Sequence, residues 1–457
     1  MERNLILATD SYKTSHYRQY PKGTKTVFSY VESRGGLYDE TVMFGLQYYI
    51  KEYLTKPVTQ QDVDKAEKFL AAHGVPFNKK GWQYIVDKHQ GKLPLMIRAL
   101  EEGKVIKTKN ILLSVENTDP ECFWLTSYLE TLLLKVWYPI TVATASYKAK
   151  KVIKKFLEKT GDVNGLPFKL HDFGYRGVSS EESAAIGGAA HLVNFMGTDT
   201  MAAPLFLSEY YNAEGMTGFS IPASEHSTIT SWGRENEKEA YRNMLNAYKE
   251  SPILACVSDS YNLWEAIKMW KELEGEMAEG QIVVVRPDSG PVVETAVKTV
   301  VALAEQFGSV VNDKGFKVLN KVRVIYGDGI SDVSVIESIL ENLTAEGFSA
   351  DNIAFGMGGG LLQKCDRDTL KFAMKCSAII VEEDGKERVV EVYKDPITDP
   401  GKTSKKGLLD LIKENGEYKT VERTNESLMK TELKIMFKDG KASNEISIEK
   451  IRENAVI

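Results

Sequence analysis

The residue types able to do chemistry are concentrated in five short stretches: HDFGYRG (171–177), ASEHSTITSWG (223–233), RPDSG (286–290), GDG (327–329) and GMGGG (356–360). The second places His226, one of only six histidines, directly after Glu225 and before a hydroxyl-rich helix start. An imidazole beside a carboxylate can serve as a nucleophile whose tautomer the carboxylate sets. It can equally be a packed histidine satisfied by the glutamate, and the local sequence leaves both readings open. In HDFGYRG, Phe173 can stack on a flat ring and Arg176 can grip a phosphate through two N–H groups. The alternative is a core aromatic beside a surface arginine.

RPDSG and GDG each put a carboxylate in a tight turn after an apolar run. Asp288 and Asp328 can accept hydrogen bonds from vicinal hydroxyls of a ribose, help to hold magnesium through water, or cap a helix. GMGGG lets the backbone approach a ligand closely, and N–H groups at such a place can cradle a phosphate. No GK[ST] follows it and it is not GxGxxG, so a plain turn is the competing reading. The cationic runs at 364–375 and 394–407 can supply a local positive field for a polyphosphate. Lys405 and Lys406 are assigned to a solvated face.

Residues so placed need strands to carry them. Seven apolar runs end in small or acidic residues: FKLHDFG, LVNFMGTD, TGFSIPASEH, PILACVSDS, QIVVVRPDSG, KVRVIYGDG and NIAFGMGGG. Helical patterns such as NLWEAIKMWKELEGEMA and VVETAVKTVVALAEQF separate them, which predicts βα units and a parallel sheet. The fold class expected is α/β, with an irregular β/α barrel; a doubly wound open sheet is the competing architecture. In both, ligands bind at the carboxyl ends of the strands. Residues 25–34 and 92–116 read as strands, and NG and DG pairs after residue 378 read as hairpin turns. Helical segments are expected around 60–73 and 122–158. The chain is therefore divided into a mixed α+β domain, 1–165 plus 380–457, with a largely antiparallel sheet built from both termini, and a barrel domain, 166–379.

Composition narrows the class of function. The chain has 457 residues, 43% hydrophobic and 27% charged, with a net charge of -6. That balance argues against a general nucleic-acid or polybasic membrane binder. No apolar stretch reaches the length of a membrane helix and the N-terminus lacks a signal-peptide run. Cys122, Cys256, Cys365 and Cys376 form no CxxC pair, which fits reduced thiols and a cytoplasmic protein.

Over nearly its whole length the chain resembles the nicotinamide phosphoribosyltransferase family of type II phosphoribosyltransferases. The likeness is carried, in family order and near-family spacing, by ATDSYKTSHY, YPITVAT, LHDFGYRGVSS, LVNFMGTDT, IPASEHSTIT, VSDSY, RPDSG, GDG, IAFGMGGGLLQK, KCS and KDPITDP. The resemblance implies that nicotinamide and phosphoribosyl pyrophosphate are converted to nicotinamide mononucleotide and pyrophosphate, in NAD biosynthesis. It also implies magnesium, ATP as co-substrate through a phosphorylated histidine, and a homodimer with shared active sites. Residues that coordinate magnesium are left unassigned.

By the same resemblance His226 is the phosphoacceptor, Glu225 and Asp259 its acidic neighbours, and Asp288 a further catalytic residue. Phe173 and Tyr12 sandwich the pyridine ring, Tyr12 coming from the partner subunit. Asp199 accepts from the carboxamide, with Ser220, Arg176 and Arg286 also at the ring. Arg176, Arg286, Asp288, Gly327, Asp328, Gly358 and Gly359 match the ribose and 5′-phosphate positions. Arg367, Lys375, Lys394, Lys402 and Arg34 match cations at the diphosphate, largely from the other subunit. One departure is Ala255, where some relatives carry a serine that reaches the ligand amide. Two rivals remain. A nicotinate phosphoribosyltransferase is disfavoured by Asp199, whose charge would meet an acid substrate. A non-catalytic ligand-binding dimer is disfavoured by the presence of His226, Asp288, Asp328 and the cations.

Overall fold

A computed structural model describes residues 4–398 and 403–457. Two compact units divide the chain: Ala145–Ser208 with Glu214–Cys365, and Met1–Thr144 with Glu209–Ala213 and Asp366–Val456. These edges lie away from 165/166 and 379/380. Residues 145–165 group with the barrel, where Lys314 Nζ donates to the carbonyls of Leu157, Glu158 and Gly161 (3.1, 2.8 and 2.7 Å). Residues 366–379 group with the antiparallel unit, because the strand Phe372–Glu383 runs unbroken through residue 380 beside Thr24–Ser33.

The first unit is built on six parallel strands: β1 (Leu170–Asp172), β2 (Gly197–Thr198), β3 (Ile253–Val257), β4 (Ile282–Arg286), β5 (Val322–Tyr326) and β6 (Ile353–Met357). Their order is β2-β1-β6-β5-β4-β3. The β-branched runs suit strands buried on both faces. The seventh predicted run, TGFSIPASEH, is not a regular strand. Phe219 bridges Gly197 of β2 and Ala223 bridges Ala255 of β3, so the run joins the two edges of the sheet and closes the ring. Pro222 has no N–H to give a ladder, which accounts for the interruption.

Helices pack outside the ring: α1 (Glu181–His191), α2 (Leu263–Glu272), α3 (Val292–Phe307) and α4 (Val333–Ala345) among them. The helix expected over VVETAVKTVVALAEQF is α3, and it buries Ala296, Val300, Leu303 and Phe307 along one stripe. Inside the ring Ala255, Val284 and Ile325 pack together from β3, β4 and β5, with Phe173 and Ile221 against them. They line a cavity of about 450 Å³ rather than fill it.

The second unit holds a seven-stranded antiparallel sheet in the order Lys386–Glu391, Phe372–Glu383, Thr24–Ser33, Ile111–Asn117, Leu95–Leu100, Leu433–Lys438 and Lys441–Ala442. Both ends of the chain contribute strands, as expected. The predicted turns fall at Asp384-Gly385, Asn415-Gly416 and Asp439-Gly440, each with positive φ at both residues. That is the twist a two-residue hairpin needs. Among the described residues no helix is long and apolar enough to cross a membrane.

Candidate active site

The carboxyl ends of the barrel strands open onto a cleft of about 880 Å³. β1 delivers Phe173, whose N–H donates to the Met357 carbonyl of β6 (3.0 Å). The ring then lies across the ends of the neighbouring strands. A Cβ on Gly356 would stand 2.1 Å from Phe173 Cε2, and one on Gly327 would stand 3.1 Å away. Only glycine at position 356 leaves room for the aromatic, and Gly327 spares it a tight contact. The Arg286 guanidinium, at the end of β4, sits over the Phe173 ring at 5.6 Å from its centroid.

Asp199 follows β2 and lines both the cleft and the interior cavity, as Phe173 and Arg286 also do. The Ser220 hydroxyl donates to Asp199 Oδ1 at 2.5 Å, so the interrupted seventh run brings Ser220 to the carboxylate. A carboxylate held this way has acceptor capacity left for an amide NH2. Beneath it lies Asp172, fully buried, which sequence reasoning passed over. Burial pushes its carboxyl up to about 6; the Gly174 N–H and Thr200 oppose the shift and the Asp199 charge adds to it.

His226 opens the short helix His226–Thr230, set by Glu225, whose N–H donates to Thr228 Oγ1 (3.2 Å). The Ser227 hydroxyl donates to Glu225 Oε1. His226 Nε2 meets Asp259 Oδ1 at 3.0 Å, and its side chain remains 47% exposed, facing the cleft. Asp259 Oδ2 accepts from the Asp288 N–H (2.9 Å) and the Ser289 hydroxyl (2.5 Å). Burial works against the Asp259 charge, but the hydrogen bonds from Ser289, Asp288 and His226 outweigh it and hold the carboxyl below its usual range. An ionised Asp259 accepts a hydrogen bond from Nε2–H, which fixes that tautomer and leaves Nδ1 with its lone pair, a nucleophilic imidazole. Next to this pair Arg286 binds Asp288 bidentately, Nε to Oδ1 at 3.0 Å and Nη2 to Oδ2 at 2.7 Å.

The remaining cleft wall is glycine-rich, with Gly327, Gly358 and Gly359 beside exposed Asp328 and Arg176. The structure thus gathers in one cleft most of the barrel residues singled out from sequence, with Asp259 and Ser220 bonded to its members. Sequence reasoning missed Thr200, Ser289 and Lys364. Ser289 was legible, since it sits in RPDSG with its hydroxyl on the acid that orients His226. Lys364 stands first in the cationic run after GMGGG, and it is the member of that run that lines this cleft.

Among the described residues, five predicted ones belong to the other unit: Tyr12, Arg34, Arg367, Lys375 and Lys394. Tyr12 is 61% exposed on the 3-10 turn Ser11–Arg18. Lys375, on the strand Phe372–Glu383, has its proton affinity lowered by desolvation; Glu130 opposes this, and Arg34, Lys394 and Arg367 reinforce it. Three of the predicted cations, Arg34, Lys394 and Arg367, therefore sit within electrostatic reach of a fourth, Lys375. The fifth, Lys402, lies outside the described residues.

Among the described residues no group of three or more His, Cys, Asp or Glu could hold a metal ion. If magnesium is brought in by substrate phosphates, one or two carboxylates and water suffice on the protein's side, and Asp288 and Asp328 are the cleft carboxylates that could supply them.

Comparison with known proteins places this geometry. Residues 168–441 match the nicotinate phosphoribosyltransferase (NAPRTase) family, and residues 4–97 match the nicotinamide phosphoribosyltransferase, N-terminal domain. A nicotinamide phosphoribosyltransferase of Xanthomonas campestris pv. campestris (strain 8004) is 53% identical over 464 residues, covering 99% of this chain and 98% of that one. One from Acinetobacter baylyi (strain ATCC 33305 / BD413 / ADP1) is 32% identical, covering 98% and 96%. The fold is shared with the crystal structure of nicotinate-nucleotide pyrophosphorylase from Pyrococcus furiosus, at a TM-score of 0.61, 16% identity and coverage of 100% and 95%. With whole-chain identity of this order added to the cleft, the chain belongs to the nicotinamide phosphoribosyltransferase family of enzymes.

Proposed function

We propose that the protein makes nicotinamide mononucleotide and pyrophosphate from nicotinamide and phosphoribosyl pyrophosphate, in NAD biosynthesis, with ATP hydrolysis coupled through phosphorylation of His226. The observation that carries the choice of substrate is Asp199, a carboxylate at the cleft beside Phe173 with Ser220 on one of its oxygens. It accepts from the carboxamide NH2 and repels a carboxylate in the same place. Phe173 and Arg286 orient the pyridine ring so that its nitrogen faces the ribose carbon.

In the transfer, the pyridine nitrogen forms a bond to C1 of the ribose as the bond from C1 to the diphosphate oxygen breaks. The nitrogen brings its own lone pair, so no general base is assigned. Arg176, Lys364 and the backbone N–H groups at Gly358 and Gly359 hold phosphate oxygens; Asp288 and Asp328 hold ribose hydroxyls. Magnesium, bound with the diphosphate, supplies charge stabilisation of the leaving group. His226 Nδ1 attacks the γ-phosphorus of ATP and ADP leaves. Asp259 stabilises the imidazolium through Nε2–H, as Ser289 and the Asp288 N–H hold Asp259 in place.

The reading includes a homodimer in which Tyr12, Arg34, Arg367, Lys375, Lys394 and Lys402 of one subunit complete the cleft of its partner. The exposure of Tyr12 and the clustering of cations around Lys375 support it. The four cysteines are far apart in the chain and form no CxxC pair, which supports a reducing, cytoplasmic setting.

The test is a competition. Purified protein receives magnesium, phosphoribosyl pyrophosphate and equal nicotinamide and nicotinate, with and without ATP, and mass spectrometry identifies the product. Nicotinamide mononucleotide should dominate and rise with ATP. Asp199→Ser should lower the amide-over-acid preference by about tenfold or more, because the acid no longer meets a fixed charge. Nicotinic acid mononucleotide as the main product of the wild type would overturn the amide reading. No product from either would favour a ligand-binding dimer.

A further inference from the structure

Recognition of a flat ring with a polar substituent requires the stacking group and the polar group to be fixed relative to each other. In this barrel they stand on different loops, Phe173 after β1 and Asp199 after β2. Both loops are tied to Asp172. Its carbonyl accepts from the Asp199 N–H at 2.9 Å, and its Oδ1 accepts from the Gly174 N–H at 2.7 Å. The second oxygen, Oδ2, is buried beside Thr200, one residue beyond Asp199, with both residues packed against Gly188. Neither Oδ2 nor the Thr200 hydroxyl meets hydrogen-bond geometry with any group among the described residues, each other included, so each buried polar atom is the other's nearest candidate partner.

The space around this junction is tight. A Cβ on Gly188 of α1 would stand 2.7 Å from Ala203 Cβ, 3.0 Å from Asp172 Oδ2 and 3.2 Å from Thr200 Cγ2. The helix thus presses Asp172 and Thr200 together from behind the strand ends. Gly174 is as closely held, since a Cβ there would lie 2.6 Å from Leu362 Cδ1 and 3.0 Å from Asp172 Oδ1.

We propose that Asp172, through Gly174 on one side and Thr200 on the other, is the positioning residue that fixes Phe173 against Asp199 and so sets recognition of the pyridine ring and its amide. It touches no substrate itself, and its role rests on the function assigned to the cleft. It acts mainly on nicotinamide: the phosphate-facing glycines and Asp288 hang on β4, β5 and β6, and of the residues assigned to phosphate only Arg176 shares its loop.

The experiment compares the KM for nicotinamide, the KM for phosphoribosyl pyrophosphate and kcat in wild type, Asp172→Ala, Asp172→Asn and Thr200→Val, with melting temperatures as a folding control. Asp172→Ala should raise the nicotinamide KM about tenfold while the phosphoribosyl pyrophosphate KM stays within about twofold. Asp172→Asn keeps an acceptor for Gly174 and offers Thr200 an N–H, so it should recover most of the loss. Thr200→Val, nearly the same shape, should fall between them. A nicotinamide KM unchanged in Asp172→Ala, or two KM values rising together, would overturn the proposal. If Asp172→Ala does not fold, an unchanged nicotinamide KM in Thr200→Val overturns it instead. A wild type that makes no nicotinamide mononucleotide would sink the functional reading and leave this one without an object.

Discussion

The two ends of the barrel treat charge in opposite ways. At the amino ends of the strands, Lys169 Nζ donates to the carbonyls of Ala350, Asp351 and Ile353 at 3.1, 3.0 and 3.0 Å. Arg323 Nη1 donates there to the carbonyls of Leu319 and Val322 at 2.6 and 2.7 Å. Asp351 accepts from the Asp162 N–H and the Ser349 hydroxyl. Apart from the Ser349 hydroxyl, the partners of these charges are main chain, and they staple the starts of β1, β5 and β6. At the carboxyl ends the charges bond to one another, as Arg286 to Asp288 and His226 to Asp259, or stand exposed, as Asp328 and Arg176 do. Side-chain partners of that kind can be exchanged for a ligand; main-chain partners cannot without opening the fold. One end holds the barrel shut and the other is free to react, the division expected of this architecture.

The largest effect should come from the reactive end. His226→Asn removes the only nucleophile in the Asp259 pair and keeps a polar side chain of similar reach. ATP should no longer stimulate product formation, and label from γ-phosphate-labelled ATP should no longer enter the protein. Undiminished labelling would place the phosphoryl group elsewhere.

Next in size is a pH effect at the junction under the site. Asp172 is raised from 3.8 to about 6, so between these values the native chain holds more protons than the unfolded one. Its contribution to stability is complete below pH 4 and is lost as pH rises through 6, by about 3 kcal/mol at most. Glu102, in the other unit, is also raised to about 6 and gives a slope of the same sign. Denaturant midpoints of wild type and Asp172→Asn, compared from pH 4 to 7, separate the two. The variant should lack the Asp172 share of the decline, and parallel curves would refute it.

How much of this was legible depends on where each residue gets its partner. The strand runs, the hairpin pairs Asp384-Gly385, Asn415-Gly416 and Asp439-Gly440, and the strand-end residues could be read because local pattern sets them. Ser289 lay in a motif already marked. Asp172, Thr200 and Gly188 could not be read, since their roles arise where β1, β2 and α1 meet in space. Lys169 lay inside the run FKLHDFG with nothing local to mark it; only the fold brings three carbonyls to it. The domain edges slipped because Phe372–Glu383 continues a sheet through residues that periodicity had assigned to the barrel.

The amino end offers a smaller test. Lys169 has its proton affinity pushed down to about 8 by desolvation, Asp351 opposing and Arg323 adding to the effect. Lys169→Met keeps the stem and removes the donor from three carbonyls, which should lower stability by about 2 kcal/mol. The kcat should stay within about twofold, because no ligand group is touched. A large loss of kcat at unchanged melting temperature would erase the distinction between the two ends.

The smallest effect probes where that distinction runs. Ala255, in the middle of β3, is almost fully buried and lines the interior cavity that also reaches Asp199 and Ser220. Ala255→Ser adds a hydroxyl to that wall with little added volume. If the amide of the ring reaches down past Asp199 into the cavity, the new group gives it one more hydrogen bond. The nicotinamide KM should then fall about fivefold, or about 1 kcal/mol, with kcat unchanged, since binding improves equally in ground and transition states. A KM that does not move would mean that Asp199 and Ser220 close the amide site by themselves. The reactive end would then stop at the strand tips, and the interior of the barrel would belong with the stapled end below it.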